Sequence, residues 1–204
     1  MAQKFVHKVS PELIDDAQYK HPNEIPSAAM RAGSTVQLYP GTYAAVNTAN
    51  LTNISLVGIG DKDDVVISTI SVANTVTGTL HLKNLTVNAV NAVAAGGAAA
   101  ITFTGNDNAV TLKADEIVVG SADIGIVHYG ATPHIYLNRC DLSAADKAIS
   151  SNCNVTIAFS RLNSSSNAYL TPLGAQDIAI SVIASQSGGS NTGASTETIN
   201  ALLS

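Results

Sequence analysis

Charge is scarce in this chain of 204 residues: Asp, Glu, Lys and Arg make up 12% of it, about half the share in an ordinary soluble domain. Tryptophan is absent and all aromatic residues together reach 4%. These shortages disfavour a charged helical bundle and leave few flat rings on which a sugar could stack. Basic residues number 10 against 15 acidic ones, a net charge of −5, and the isoelectric point is near 5.4. Neither offers a basic footprint for nucleic acid or an anionic membrane. No apolar run approaches the roughly 18 residues of a membrane span. The opening "MAQKFVHKVSPELIDD" has no continuous apolar stretch followed by a small-residue cleavage site, so no secretory leader is expected and folding is expected in a cytoplasm. Cys140 and Cys153 are too few for a disulfide framework and lie in no CxxC motif; two reduced, buried thiols are expected.

What is present is Ala, Val, Ile and Leu among Ser, Thr, Asn and Gly, with 46% of residues hydrophobic. That mixture suits many short strands joined by tight turns and argues against wholesale disorder. The stretch "LHLKNLTVN" carries apolar residues at Leu80, Leu82, Leu85 and Val87. It reads as two alternating runs joined at Asn84, a residue type that tolerates the left-handed conformation and lets the chain bend and continue extended.

The pattern recurs. Anchors at Ile54, Leu80, Leu112, Leu137, Ile157 and Ile180 are separated by 26, 32, 25, 20 and 23 residues. Two positions further on stand Leu56, Leu82, Ala114, Phe159 and Val182, with Arg139 as the exception; five further on stand Ile59, Leu85, Ile117, Leu142 and Leu162, with Ser185 as the exception. The intervening bend is expected at Gly58, Asn84, Glu116, Asp141, Arg161 and Ala184. Later apolar segments follow at Val65–Ile67, Ile124–Ile126, Ala148–Ile149 and Tyr169–Leu170, and an Ala/Gly-rich insertion at 89–100 accounts for the long interval, returning Ile101 and Phe103 to that later position. Three short strands per period of 20 to 26 residues predict a parallel β-helix whose core is stacked columns of Leu, Ile and Val.

Open ends of such a stack need covers. A short helix ending at Gly33 is expected over "NEIPSAAMRAG", laying Ile25, Ala29 and Met30 across the first rung, with another over "PELIDDAQY" behind Ser10 and Pro11. At the far end "SQSGGSNTGAS" reads as a linker, and "TETINALLS" as a terminal helix with Ile199, Leu202 and Leu203 on one face. The expected organisation is an N-terminal arm and capping helix over 1–33, a parallel β-helix over 34–186, and a flexible linker and short C-terminal helix over 187–204.

The segment "AGSTVQLYPGTY", residues 32–43, followed by "NISLVGIG" and "LHLKNLTV", resembles the opening coils of pectin-lyase-like right-handed β-helix proteins. The likeness covers roughly residues 24–186. It implies an all-β, single-stranded right-handed parallel β-helix of about 6–7 coils with short capping helices at the termini. It does not choose a chemistry, because that superfamily holds lyases, hydrolases, epimerases, phage tail spikes and purely structural coils.

Catalysis on such a fold needs clustered carboxylates, or acidic calcium ligands beside a base. The densest acidic run is Asp61, Asp63 and Asp64 in "GDKDD", which reads as a solvated turn. Glu116 and Asp141 are expected to stack on neighbouring rungs as a surface ladder, with Arg161 offsetting Asp141. Lys83, Lys113, Arg139, Lys147 and Arg161 are scattered without a matching acidic cluster. His81, His128 and His134 lack metal-ligand spacing, and a lone strand histidine is expected at the surface. No catalytic, cofactor-binding or metal-binding residue is therefore assigned, no cofactor is expected, and neither nucleic acid nor membrane is expected as a partner. In character the chain resembles the non-enzymatic phage members of the superfamily. A virion structural protein is expected, assembled in the host cytoplasm as a capsid decoration or a head or tail fibre component. Its partners would be other virion proteins and further copies of itself, with a trimer implied by the likeness. A glycan-binding or glycan-cleaving tail spike is the alternative, and a secreted polysaccharide lyase a third reading.

Overall fold

The computed structural model describes residues 5–14, 16–47, 53–73, 77–89, 99–105, 107–172, 179–183, 186–191 and 196–200. The chain is all-β: its strands form one curled, 17-stranded sheet, paired in parallel. Side chains alternate between the two faces of a strand, and pairing each segment with the one a period later places like residues in the same column.

Three ladders result. The first runs through Val6–Val9, Thr35–Leu38, Ile54–Gly58, the openings of Thr77–Asn88 and Ala109–His128, then His134–Asn138, Asn154–Ala158, Ala179–Ile183 and Thr196–Asn200. The second joins Gly41–Tyr43 and Val65–Ile67 to the later part of Thr77–Asn88, the middle of Ala109–His128, the openings of Asp141–Ser151 and Arg161–Pro172, and Gln186–Asn191. The third joins Val46–Asn47, Ile70–Val72 and Ala99–Phe103 to the ends of Ala109–His128, Asp141–Ser151 and Arg161–Pro172.

The inward columns are the core. In the first ladder Leu56, Leu82, Ala114, Leu137 and Ile157 stack in register; in the third, Val46, Ile70, Ile101, Ile126 and Ile149 do the same. None of these is more than 3% exposed. Each fully buried aliphatic side chain contributes on the order of 1.5–3 kcal/mol over leaving it in water, and each rung shares that gain with its neighbours.

The register differs from the sequence expectation at two rungs. Leu112 pairs with Ile135 and Ile135 with Val155, so the anchors of those rungs are Ile135 and Val155, not Leu137 and Ile157. The shift of two residues keeps the alternation, which is why period alone does not detect it. It moves Phe159 out of the expected core column to 61% exposure, and it removes the anomaly at Arg139. Both residues stand at the bend, with φ of 50° and 52°, matching 52° at Asn84 and 58° at Glu116. Asp141 and Arg161 sit two residues later, on the next strand. The later segment of the second coil is likewise Ile70–Val72, whereas Val65–Ile67 belongs to the second ladder.

The expected capping helices do not form among the described residues; the single helix there is a 3-10 turn, Pro22–Glu24, capped by His21 Nδ1 accepting from the Asn23 N–H at 3.1 Å. Short helices are marginal, and the edge of the sheet offers backbone partners instead. Lys8 O accepts from the Gln18 and Tyr19 amides, and Val9 bridges Tyr19. Ile25 is nevertheless buried, with Ala29 and Met30 against the core, so the expected apolar cover is made by turns. At the other end Gln186–Asn191 and Thr196–Asn200 are strands where a linker and a helix were expected. Their backbones pair with the preceding rungs, so the sheet extends outside 34–186 at both ends. Residues 90–98 of the Ala/Gly-rich insertion, Ala184, Ser185 and residues 201–204 lie outside the described residues. No helix among the described residues is long and apolar enough to cross a membrane.

Candidate functional site

The bend between the first two ladders repeats because each rung solves the same problem. Asn84 adopts the left-handed conformation and its Nδ2 donates to Gly58 O at 3.1 Å and Gly60 O at 2.7 Å, tying one bend to the turn of the rung before. Gly58 has to be glycine: a Cβ there would lie 1.9 Å from Asn84 O. The Asp61–Asp64 turn is held the same way, by Asp64 N–H to Asp61 O at 3.0 Å, Gly41 N–H to Asp64 O at 2.7 Å and Thr86 Oγ1 to Lys62 O at 3.1 Å. Among the described residues no group of three or more side chains is placed to hold a metal ion.

The carboxylates singled out in the sequence are paired across rungs. Arg161 grips Asp141 through two nitrogens, Nε at 3.0 Å from Oδ1 and Nη2 on Oδ2. Glu116 lies 3.3 Å from Arg139 rather than beside Asp141. Asp115, which the sequence reading passed over, is the busiest acid: it accepts from Asn138 Nδ2 at 2.6 Å and lies 3.4 Å from Arg139 and 3.9 Å from Lys83. Lys147 pairs with Asp146 at 3.1 Å.

The thiols are free and buried. Burial pushes both up to about 11, so neither is an activated nucleophile. The histidines divide. His128 is fully buried, contrary to the surface position expected of it, and stacks on Phe103 with ring centroids 4.3 Å apart. Its Nδ1 accepts from the Gly130 N–H at 3.2 Å and its Nε2 donates to Val110 O at 2.8 Å, which fixes one neutral tautomer. Burial holds it below the usual imidazole range. His81 and His134 face outward, half-buried, and burial lowers both.

His81 lines a groove of about 450 Å³ on the outer face of the first ladder. Its walls are two outward columns: His81, Lys113, Tyr136 and Thr156 in one, Asp115, Asn138 and Ala158 in the other. The His134 ring stacks on Tyr136 at 4.1 Å, and its Nε2 lies 2.8 Å from Thr156 Oγ1. The pair thus presents a fixed aromatic surface, with Tyr136 41% exposed. Lys113 makes no ion pair among the described residues, whereas Lys83 and Arg139 both do. The sequence did not suggest this groove because its rung was anchored at Leu137. The signal was the alternation of "HIYLN", which turns Tyr136 outward once Leu137 is inward.

No protein-family profile matches the chain, and no curated protein matches it in sequence. Among solved structures it is similar to the crystal structure of Escherichia coli YbhC, with a TM-score of 0.61 at 14% identity over 98% of this chain and 76% of that one. At that identity the likeness supports the parallel β-helix type of fold and carries no chemistry.

Proposed function

We propose that the chain is a pectin-lyase-like, single-stranded right-handed β-helix of about 6–7 coils that serves as a non-enzymatic structural component of a bacteriophage virion. In this reading it is a capsid decoration or a head or tail fibre subunit. The observation that carries the structural role is the pairing of Asp115, Glu116 and Asp141 with basic residues of a neighbouring rung. These carboxylates are occupied by basic side chains on the outside of the stack, where a hydrolase or lyase would present them to substrate. Low charge and a Ser/Thr/Asn-rich exterior suit a stable, weakly adhesive surface. The assignment to a virion rests on fold-level resemblance. Quantitative mass spectrometry of density-purified particles tests it: tens to hundreds of copies per particle mark a decoration, a handful mark a tail component, and absence removes the reading.

The groove beside Tyr136 favours a second reading, a spike that binds or cleaves host glycan. Incubation with acidic and neutral polysaccharides separates the two, since release of reducing ends or unsaturated sugars requires an enzyme.

A further inference from the structure

Phe159 is the odd member of the bend column. Asn84, Glu116 and Arg139 occupy the same left-handed position with polar side chains that reach neighbouring rungs, and left-handed backbone is strained for a bulky residue. Phe159 accepts that strain at φ 50° and leaves its ring 61% exposed. Its backbone is anchored, N–H to Ile183 O at 2.9 Å, so the ring leaves the stack from a fixed point. Among the described residues no ring stacks on it and no cation lies over it, so its apolar surface is open to a partner.

The recess that fits it is adjacent. Ala158, the preceding residue, lines the groove of about 450 Å³ whose far wall is the exposed Tyr136. A protruding ring next to an aromatic-walled groove on one face suits an isologous two-fold contact, in which one and the same patch of each copy offers both halves. The face also carries both signs of charge, with Lys113, which makes no ion pair among the described residues, beside Asp115, so a second copy meets no single-sign field.

We propose that this face is a two-fold interface between copies of the chain, with Phe159 of each seated in the other's groove against Tyr136. This extends the homo-oligomeric part of the structural reading above and rests on it. An edge-to-face or offset aromatic contact is worth more than its buried area alone, and buried aromatic anchors at the centre of a contact carry most of its energy.

Sedimentation of the full chain between about 1 and 100 µM tests it, with two variants. Phe159→Asn removes the ring and suits the left-handed backbone; Ala158→Arg fills the groove from an outward position. The wild type is expected at twice the chain mass of 20.9 kDa. Both variants should weaken association about tenfold or more, while their thermal midpoints, compared at a concentration where all three chains are monomeric, stay at or above that of the wild type. A wild type that is monomeric throughout overturns the proposal, as does a dimer that survives both substitutions, or a trimer, whose contacts are heterologous. Oligosaccharide binding by a monomer, read from tyrosine fluorescence, assigns the groove to a ligand and overturns it too. A monomer abundant on particles fails this proposal alone; a dimer absent from particles fails the virion reading alone.

Discussion

At the residue scale the molecule is governed by a few polar groups placed where the core comes close to the backbone. Asn108 is the plainest case, buried at 1% exposure, its Nδ2 serving Val72 O, Ala73 O and Thr104 O while its Oδ1 accepts from the Val110 N–H. His128 faces the same turn and supplies a pH dependence. In the unfolded chain an imidazole titrates near 6.5; in the fold, burial lowers His128, and no charged side chain contributes to the shift. Above the unfolded value both states are neutral and stability is complete. As pH falls below it, the unfolded chain takes up a proton that the fold resists, so stability declines through the folded value. Protonation also removes the lone pair that accepts from Gly130. We expect the urea midpoint to drop between pH 7.5 and 5.0, and the drop to shrink in His128→Gln, with His81 and His134 supplying the remainder. An unchanged slope in that variant would contradict the assignment. Asn84 tests the bend. Asn84→Gly keeps the conformation but loses two hydrogen bonds, about 1–2 kcal/mol. Asn84→Ala also places a Cβ in the left-handed region, and chemical denaturation should show it as the more destabilised of the pair.

At the element scale the strands are interchangeable repeats, and what differs between rungs is the exterior. The Asp141–Arg161 pair spans adjacent strands in register but stands in solvent, where such pairs contribute little. Asp141→Asn should leave the thermal midpoint within experimental error of the wild type; a fall of several degrees would show that these pairs bind the rungs together. Much of this level was legible beforehand. The alternation at Leu80 and Leu82, the bend at Asn84 and the return of Ile101 and Phe103 after the insertion all follow from period and from the short list of residues tolerating positive φ. Legibility ended at two points. A slip of two residues preserves alternation, so Leu137 and Leu112 looked equivalent until backbone pairing chose Ile135. The helix pattern at 11–19 lost to an exposed sheet edge, a competitor that local sequence does not display, and the one at 23–33 closed as turns at Pro26 and Arg31. The groove was hidden because anchoring the rung at Leu137 began its strand one residue after Tyr136, although the alternation of "HIYLN" turns Tyr136 outward in either register.

At the scale of the whole molecule, the sheet has no centre. Every rung between the ends is covered by the rung before and the rung after, and each ladder pairs residues about one period apart in sequence. Energetics then follow nearest neighbours, and a defect in one rung weakens two interfaces at once. Leu82 shows this: it is fully buried, and its backbone is in register with Leu56 on one side and Ala114 on the other. Because Ala114 is already small, the column has little bulk to close over a gap, so Leu82→Ala should leave a cavity and cost about 3–5 kcal/mol. The spatial reach of the change is more telling than its size. Hydrogen exchange should accelerate in Ile54–Gly58 and in the opening of Ala109–His128 together with the substituted strand, while Asn154–Ala158 keeps its protection. A uniform loss across all of these strands would mean the chain opens as one cooperative unit. Acceleration confined to the substituted strand would mean the rungs hold independently, against the shared burial that the registered columns require.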